Sequence, residues 1–381
     1  MEEFQKKLSS YLKYLELDPQ NALLCIQIGD LYHENGDFVK AREFFERARV
    51  QDPESSVALS RLGNLCLSEN KFEDAAAIYD QVIRVAGNDE SLNYNYALSL
   101  YYCKRFSEAH IAFSSLDSGN SGFKDLEFYQ VSCLHNEGRL AEAIEHAEQC
   151  LSVKHDAKLM GYLSLIRMDS FDMASAIKDA ESVLELDSAN ADAATVLGNH
   201  AIEQQDIAKA EELFELVVKN EPGNPRGWQG KGLASLLNRD YEGAQTYFER
   251  AVEISPDQVG NFNTLGWTHI IKNNFHKAEQ VFRTGIEKNR NNAEVHGGLS
   301  VALVFQNKLD EAKQESDTAL KLDRSSFGGL YAKSIMLKLK GKDKIATKLL
   351  GGMLDAPLGD GAPSLMDHLI KYEKNNSQIR R

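Results

Sequence analysis

The side chains best suited to chemistry gather between residues 133 and 155. Cys133 and His135 lie two apart, His146 and Cys150 stand at i and i+4 on one helical face, and His155 follows. Thiolates and imidazoles are good zinc ligands, so this is the most enzyme-like set in the chain. There is no G-x-x-x-x-G-K-[ST], no G-x-S-x-G, no H-E-x-x-H and no dinucleotide fingerprint. The cysteines are Cys25, Cys66, Cys103, Cys133 and Cys150, an odd number without a C-x-x-C. That pattern suits free thiols in a reducing compartment, and the expected location is the cytoplasm.

Composition narrows the partners. The chain has 381 residues, is 43% hydrophobic and 26% charged, and carries a formal net charge of −14. An acidic balance argues against nucleic acid as the main partner, because phosphate binding needs a basic face. No apolar run approaches the roughly 18 residues of a membrane span, and MEEFQKKLSSYLKYLELDP has no apolar signal segment.

The elements that would position any site are set by one recurring stretch, Ala22 to Pro53. It carries two amphipathic helical patterns back to back, ended by Asp52-Pro53. Counting from Ala22, Gly29 is position 8, Gly36 position 15, Ala41 position 20 and Phe45 position 24. Small residues at 8 and 20 let two helix backbones approach, where a larger side chain would overpack by roughly 1–3 kcal/mol. Tyr32, Phe38 and Phe45 fill the space between the helices. Gly36 and Asp37 make the turn, glycine by tolerating φ > 0 and aspartate by capping the next helix. Pro53 biases Asp52 away from the α region.

The stretch returns in steps of 34, from Ala22, Ser56, Glu90, Lys124, Ala157, Ala191, Pro225, Val259, Ala293 and Phe327; only the fourth repeat is one residue short. Position 20 is alanine ten times out of ten, from Ala41 to Ala346. Position 8 is small in every repeat but the fourth, which has Val131, and position 24 is aromatic in six. A fixed period with several independent positions in agreement is the mark of a repeat array. Ala147, Ala180 and Ser316 replace the aromatic at position 24, and looser packing is expected there.

This pattern resembles the tetratricopeptide repeat family over nearly the whole chain. The resemblance implies an all-α solenoid, a right-handed superhelix of about ten helix-turn-helix repeats. Residues 1–21 are expected to form an N-terminal capping helix with Tyr11 and Tyr14 at positions 24 and 27, residues 22–360 ten tandem repeats, and residues 361–381 a C-terminal capping helix opened by Pro363 and a frayed tail. The stretch from Ser115 to Asp125 and the short join near His155 are where a bend or hinge is expected. Cys150 falls at position 27, a buried packing position, where free cysteine acts as a small apolar residue. Neither a metal site nor a cofactor is therefore expected, and the chain reads as non-enzymatic.

In this family the first helix of each repeat lines a concave groove, with positions of about 2, 5, 6, 9, 12 and 13 pointing inward. Carried onto this chain, the groove candidates are Asn64, Tyr94, Asn95, Tyr129, Tyr162, Asn199, Gln229, Leu233, Asn263, Trp267 and Phe305. A carboxamide both donates and accepts, so spaced asparagines could hold an extended peptide backbone; the bland alternative is a solvated helix face. Trp267 is a candidate binding anchor, with packing between repeats as the alternative, whereas Trp228 at position 4 reads as structural. The tyrosines suit packing better than a ligand box. Members that capture EEVD chaperone tails use a clamp of Lys and Asn at 5 and 9, Asn at 6, then Lys and Arg at 2 and 6. Ile26, Asp30, Arg61, Ser91 and Asn95 do not supply it, so that role is not expected. The expected function is a scaffold or adaptor that holds an extended or helical segment of a partner protein. Protein-complex assembly, secretion and chaperone-adaptor work are settings the resemblance implies without choosing among them. The competing reading is a self-associating structural scaffold without a peptide ligand.

Overall fold

A computed structural model describes residues 2–87, 89–116, 122–123 and 125–355. The expected helix after Pro363 and most of the stretch from 115 to 125 lie outside them. The described residues form twenty-one α-helices and no strand. Among them no helix is long and apolar enough to cross a membrane.

The chain divides into two compact bodies, residues 1–186 and 187–381. In the N-terminal body α1 (Glu2–Leu17) precedes the pairs α2/α3 (Ala22–Glu34, Phe38–Gln51), α4/α5 (Ser56–Ser68, Phe72–Ala86), α6/α7 (Glu90–Tyr102, Phe106–Ser114), α8/α9 (Leu126–Asn136, Leu140–Val153) and α10/α11 (Ala157–Asp169, Met173–Leu186). The C-terminal body holds α12/α13 (Ala191–Glu203, Ile207–Asn220), α14/α15 (Pro225–Leu237, Tyr241–Ile254), α16/α17 (Val259–Ile271, Phe275–Lys288), α18/α19 (Ala293–Phe305, Leu309–Leu322) and α20/α21 (Phe327–Leu339, Asp343–Asp355).

Local sequence explains the breaks. Asn21, Ser55, Asp156, Asn190 and Asn292 cap first helices by accepting an N–H three residues on. Asp37, Asp206 and Asp240 do the same for second helices. Position 15 adopts φ between 58° and 77° in all ten turns, including Gly36, Gly138 and Gly341. A helix that must stop within one residue needs that left-handed step to satisfy its last carbonyls. Phe171 takes it too, at φ 66°. Asp52 leaves the helical region ahead of Pro53, as the proline requires.

Packing follows the period. All ten alanines at position 20 are fully buried. Phe45, Tyr79, Phe113, Phe214, Phe248 and Phe282 at position 24 are fully or almost fully buried, and those facing a position-8 glycine lie directly against it. A Cβ on Gly29 would meet Phe45 Cε1 at 2.4 Å, and one on Gly266 would meet Phe282 Cζ at 2.4 Å. Where position 24 is small, position 8 is larger: Val131 goes with Ala147, Ser164 with Ala180 and Ser300 with Ser316. All six are buried.

The first helix, α1, covers α2 with Leu8 and Leu15 against Ile28 and Tyr32. Tyr14 is exposed, against its expected register. The stripe of α1 that faces α2 is the part of it that is buried.

Candidate functional site

In the N-terminal body the candidate residues are tied to one another across neighbouring helices. Arg61 Nε donates to Asp30 Oδ1 at 2.7 Å, linking α4 to α2. Asn64 Oδ1 accepts from Tyr79 OH at 2.5 Å and from Asn95 Nδ2 at 3.2 Å, linking α4 to α5 and α6. Tyr101 OH lies 2.8 Å from Ser132 Oγ, which lies 3.1 Å from Tyr162 OH. Tyr162 OH is 2.7 Å from His135 Nδ1, and His135 Nε2 is 3.0 Å from Asp169 Oδ2. A hydrogen-bonded line thus runs through α6, α8 and α10. Tyr129 stacks on Phe113 with centroids 5.4 Å apart, and Tyr94 stacks on Phe123 at 4.6 Å. Burial raises the hydroxyl pKa of Tyr94, Tyr101 and Tyr129, so all three stay neutral at physiological pH. These tyrosines join helices to one another, as the packing alternative requires.

The cysteine–histidine cluster comes apart. Cys133 is fully buried, and burial pushes its thiol up to about 12. His135 turns to Tyr162 and Asp169. His146 Nε2 bonds Gln130 Oε1 at 3.1 Å, with Cys150 Sγ 3.9 Å away. Burial raises the Cys150 thiol and lowers the His146 imidazole, so neither is charged near neutrality. Both line a cavity of about 420 Å³ together with Phe128, Lys158 and Leu159. Among the described residues no three His, Cys, Asp or Glu side chains are placed to share a metal ion.

The C-terminal body is different. Asn199 Nδ2 bonds only back to Thr195 O of its own helix at 2.9 Å. Gln229 donates to the buried Asn261, and Leu233 packs against Phe248 and Leu265. Asn263 Oδ1 is buried with no protein donor. One turn further along α16, half-buried Trp267 meets Phe282 edge-on at 6.5 Å and Phe327 at 5.6 Å. Trp228 Nε1 donates to Pro222 O at 2.9 Å, which fastens the turn before α14 and fits its structural reading. Phe305 stands apart from the Trp267 group and stacks on Phe275 at 4.8 Å.

A row of apolar helix ends lies at position 13, one of the inward positions, yet most of it is missing from the groove candidates. Position 13 is the last residue of each first helix. In α14, α16, α18 and α20 it is Leu237, Ile271, Phe305 and Leu339, which are 38%, 46%, 44% and 62% exposed. Only Phe305 is among the groove candidates. Position 13, compared down all ten repeats, is the signal that finds the row.

Comparison with known proteins bears on the fold. Tetratricopeptide repeat family models match residues 33–95, 167–233 and 225–258. The human IFIT1 dimer, solved with m7Gppp-AAAA, is similar at 15% identity and a TM-score of 0.56, over 92% of this chain and 94% of that one. Cut9 of the APC/C hetero-tetramer Cut9-Hcn1 is similar at 12% identity and a TM-score of 0.55, over 93% of this chain and 76% of that one. The 34-residue period, the paired helices and these matches agree: residues 33–95 and 167–258 are tetratricopeptide repeats, in a chain with the fold of that family.

Proposed function

We propose that this protein is a non-enzymatic interaction module that binds a segment of a partner protein on the first-helix face of its C-terminal body. The observation that carries this is a contrast. In α2 to α10 the polar and aromatic residues of that face are occupied by one another, whereas Asn199, Asn263 and Trp267 have no side-chain hydrogen-bond partner on a neighbouring repeat. A carboxamide not tied to a neighbouring repeat, such as that of Asn199, suits a peptide backbone, and the half-exposed Trp267 suits an apolar side chain. The location proposed is the cytoplasm, in keeping with the free cysteines. A net charge of −14 weighs against a polyanion such as the capped RNA held by IFIT1. Assembly of protein complexes, secretion and adaptor work are the settings the family supplies. The residues of the EEVD clamp are not met.

The test uses a photocrosslinking amino acid placed at Asn263 or, as control, at exposed Glu253 on α15. Crosslinking to another protein from position 263 alone supports the reading. Equal capture from both positions, or none from 263, overturns it. Crosslinking only to a second copy makes self-association the better account.

A further inference from the structure

We propose that Leu237, Ile271, Phe305 and Leu339 form a docking row for an acidic amphipathic helix of the partner protein. This rests on the reading above and deepens it by naming the chemistry of the partner and the edge of the face it occupies.

The fold does not ask for apolar residues at these places. The same position ends α2, α4, α8, α10 and α12 as Glu34, Ser68, Asn136, Asp169 and Glu203. Polar residues serve there without difficulty, although Tyr102 ends α6 at the same position, and the part of a Leu, Ile or Phe side chain left exposed gains nothing from folding. Yet four consecutive first helices of one body carry them. Apolar side chains aligned in this way mark a binding surface.

The spacing selects the occupant. Successive first helices α16, α18 and α20 pack directly on one another. Packed helix axes lie about 8–10 Å apart, so from α16 to α20 the row advances by up to roughly 10 Å per repeat. A helix rises about 10.5 Å in seven residues, so apolar residues about one heptad apart can meet the members of the row on α16, α18 and α20. An extended segment can match the same step, but its backbone N–H and C=O groups need partners. The row offers hydrocarbon, and the Gln306 amide beside it already donates to Phe275 O and Glu279. A helix satisfies its own backbone.

Charge selects the sign. The turns that follow the row carry Arg239, Lys272, Lys308, Lys340 and Lys342. A cavity of about 360 Å³ lined by Phe275 and Phe305 is also lined by His276, Lys277 and Lys308, and by no carboxylate. Lys272 and Lys308 are partly neutralised by Glu242 and Glu279 at 3.1 and 2.7 Å, while Lys277 is exposed. Asp240 is occupied in capping α15. In a protein of net charge −14 this edge is locally cationic, so acidic side chains flanking the apolar stripe complement it.

The test begins with a displayed library of random peptides about 20 residues long, selected on the full-length protein. The best peptide is then measured by fluorescence anisotropy at low and high salt. The target proteins are wild type, Ile271→Glu/Phe305→Glu and Asn263→Ala/Trp267→Ala. Ile271 and Phe305 are exposed, so the first variant should keep the wild-type circular dichroism. The expected result is enrichment of Glu- and Asp-rich peptides with heptad-spaced apolar residues, which gain helicity on binding. Affinity should fall tenfold or more in Ile271→Glu/Phe305→Glu and several-fold at high salt. Enrichment of basic or proline-rich peptides, no enrichment, or binding that survives Ile271→Glu/Phe305→Glu overturns the proposal. Loss confined to Asn263→Ala/Trp267→Ala overturns it while leaving the broader reading standing. If light scattering shows a wild-type dimer that Ile271→Glu/Phe305→Glu dissociates, the row is a self-contact and the partner helix is excluded.

Discussion

Gly266 and Phe282 offer a quantitative test of how two helices of one repeat fit. The Phe282 ring is fully buried between α16 and α18. On one side a Cβ at Gly266 would lie 2.4 Å from Phe282 Cζ, and on the other a Cβ at Gly298 would lie 2.3 Å from the same atom. The ring therefore cannot retreat from a methyl on either face, and contact at van der Waals distance needs a shift of roughly 1 Å. Such overpacking costs roughly 1–3 kcal/mol. Replacing a mid-helix glycine returns up to about 1 kcal/mol of helix propensity, so Gly266→Ala should lose up to about 2 kcal/mol net. A Cβ at Gly260 on the same helix would have nothing within 4 Å. Gly260→Ala should therefore be neutral or stabilising by up to about 1 kcal/mol. Hydrogen exchange of the amides in α16 to α18 reads local opening free energies, which suits a repeat array that need not unfold in two states. In a double-mutant cycle, Gly266→Ala should cost less when Phe282 is alanine, because the methyl then enters the space the ring leaves. The reasoning fails if Gly266→Ala and Gly260→Ala have the same effect, or if the cycle shows no coupling.

Buried His296 gives a pH prediction. Its Nδ1 is 2.5 Å from Glu315 Oε2 and its Nε2 is 3.0 Å from Arg290 O, so both ring nitrogens face acceptors and need protons. The Glu315 hydrogen bond raises the imidazole pKa against the opposing effect of burial. A raised histidine stabilises below its unfolded pKa of about 6.5, and that stability fades as pH climbs through the raised folded value. The urea midpoint of Glu315→Gln should lie below wild type at about pH 6 and converge with it at alkaline pH; a constant gap would contradict this. Phe171→Gly should stabilise by about 1 kcal/mol in thermal melts, because the phenyl is 92% exposed and its backbone is left-handed. Tyr162→Phe should lose about 1–3 kcal/mol of local stability by exchange measurements around α8 and α10, since it leaves Ser132 and His135 without their shared hydroxyl.

Much of this molecule is decided locally, and that part is legible in the order of its residues. Ala41 and its nine counterparts, the pairing of Gly29 with Phe45, the caps Asn21 and Asp37 and the stop at Asp52-Pro53 all act within one 34-residue repeat. Steric exclusion and backbone satisfaction leave such residues few alternatives, so period and residue type suffice to read them. How side chains of different repeats meet is another matter, and it emerges only once the helices are packed. Asn64 and Asn95 look like two free carboxamides in sequence, but they share a hydrogen bond because α4 and α6 are neighbours. The Cys133–His135–His146–Cys150 cluster suggests a metal, but Cys133 is buried and His135 turns to Tyr162, which leaves only His146 and Cys150 of α9 side by side. Conversely, Leu237, Ile271 and Leu339 carry no mark in the sequence that sets them apart, and only packing shows that each keeps a third or more of its surface exposed. Side-chain exposure and partnering depend on the spacing and rotation of helices distant in sequence, and a repeat pattern fixes the register of each helix without fixing what stands opposite it.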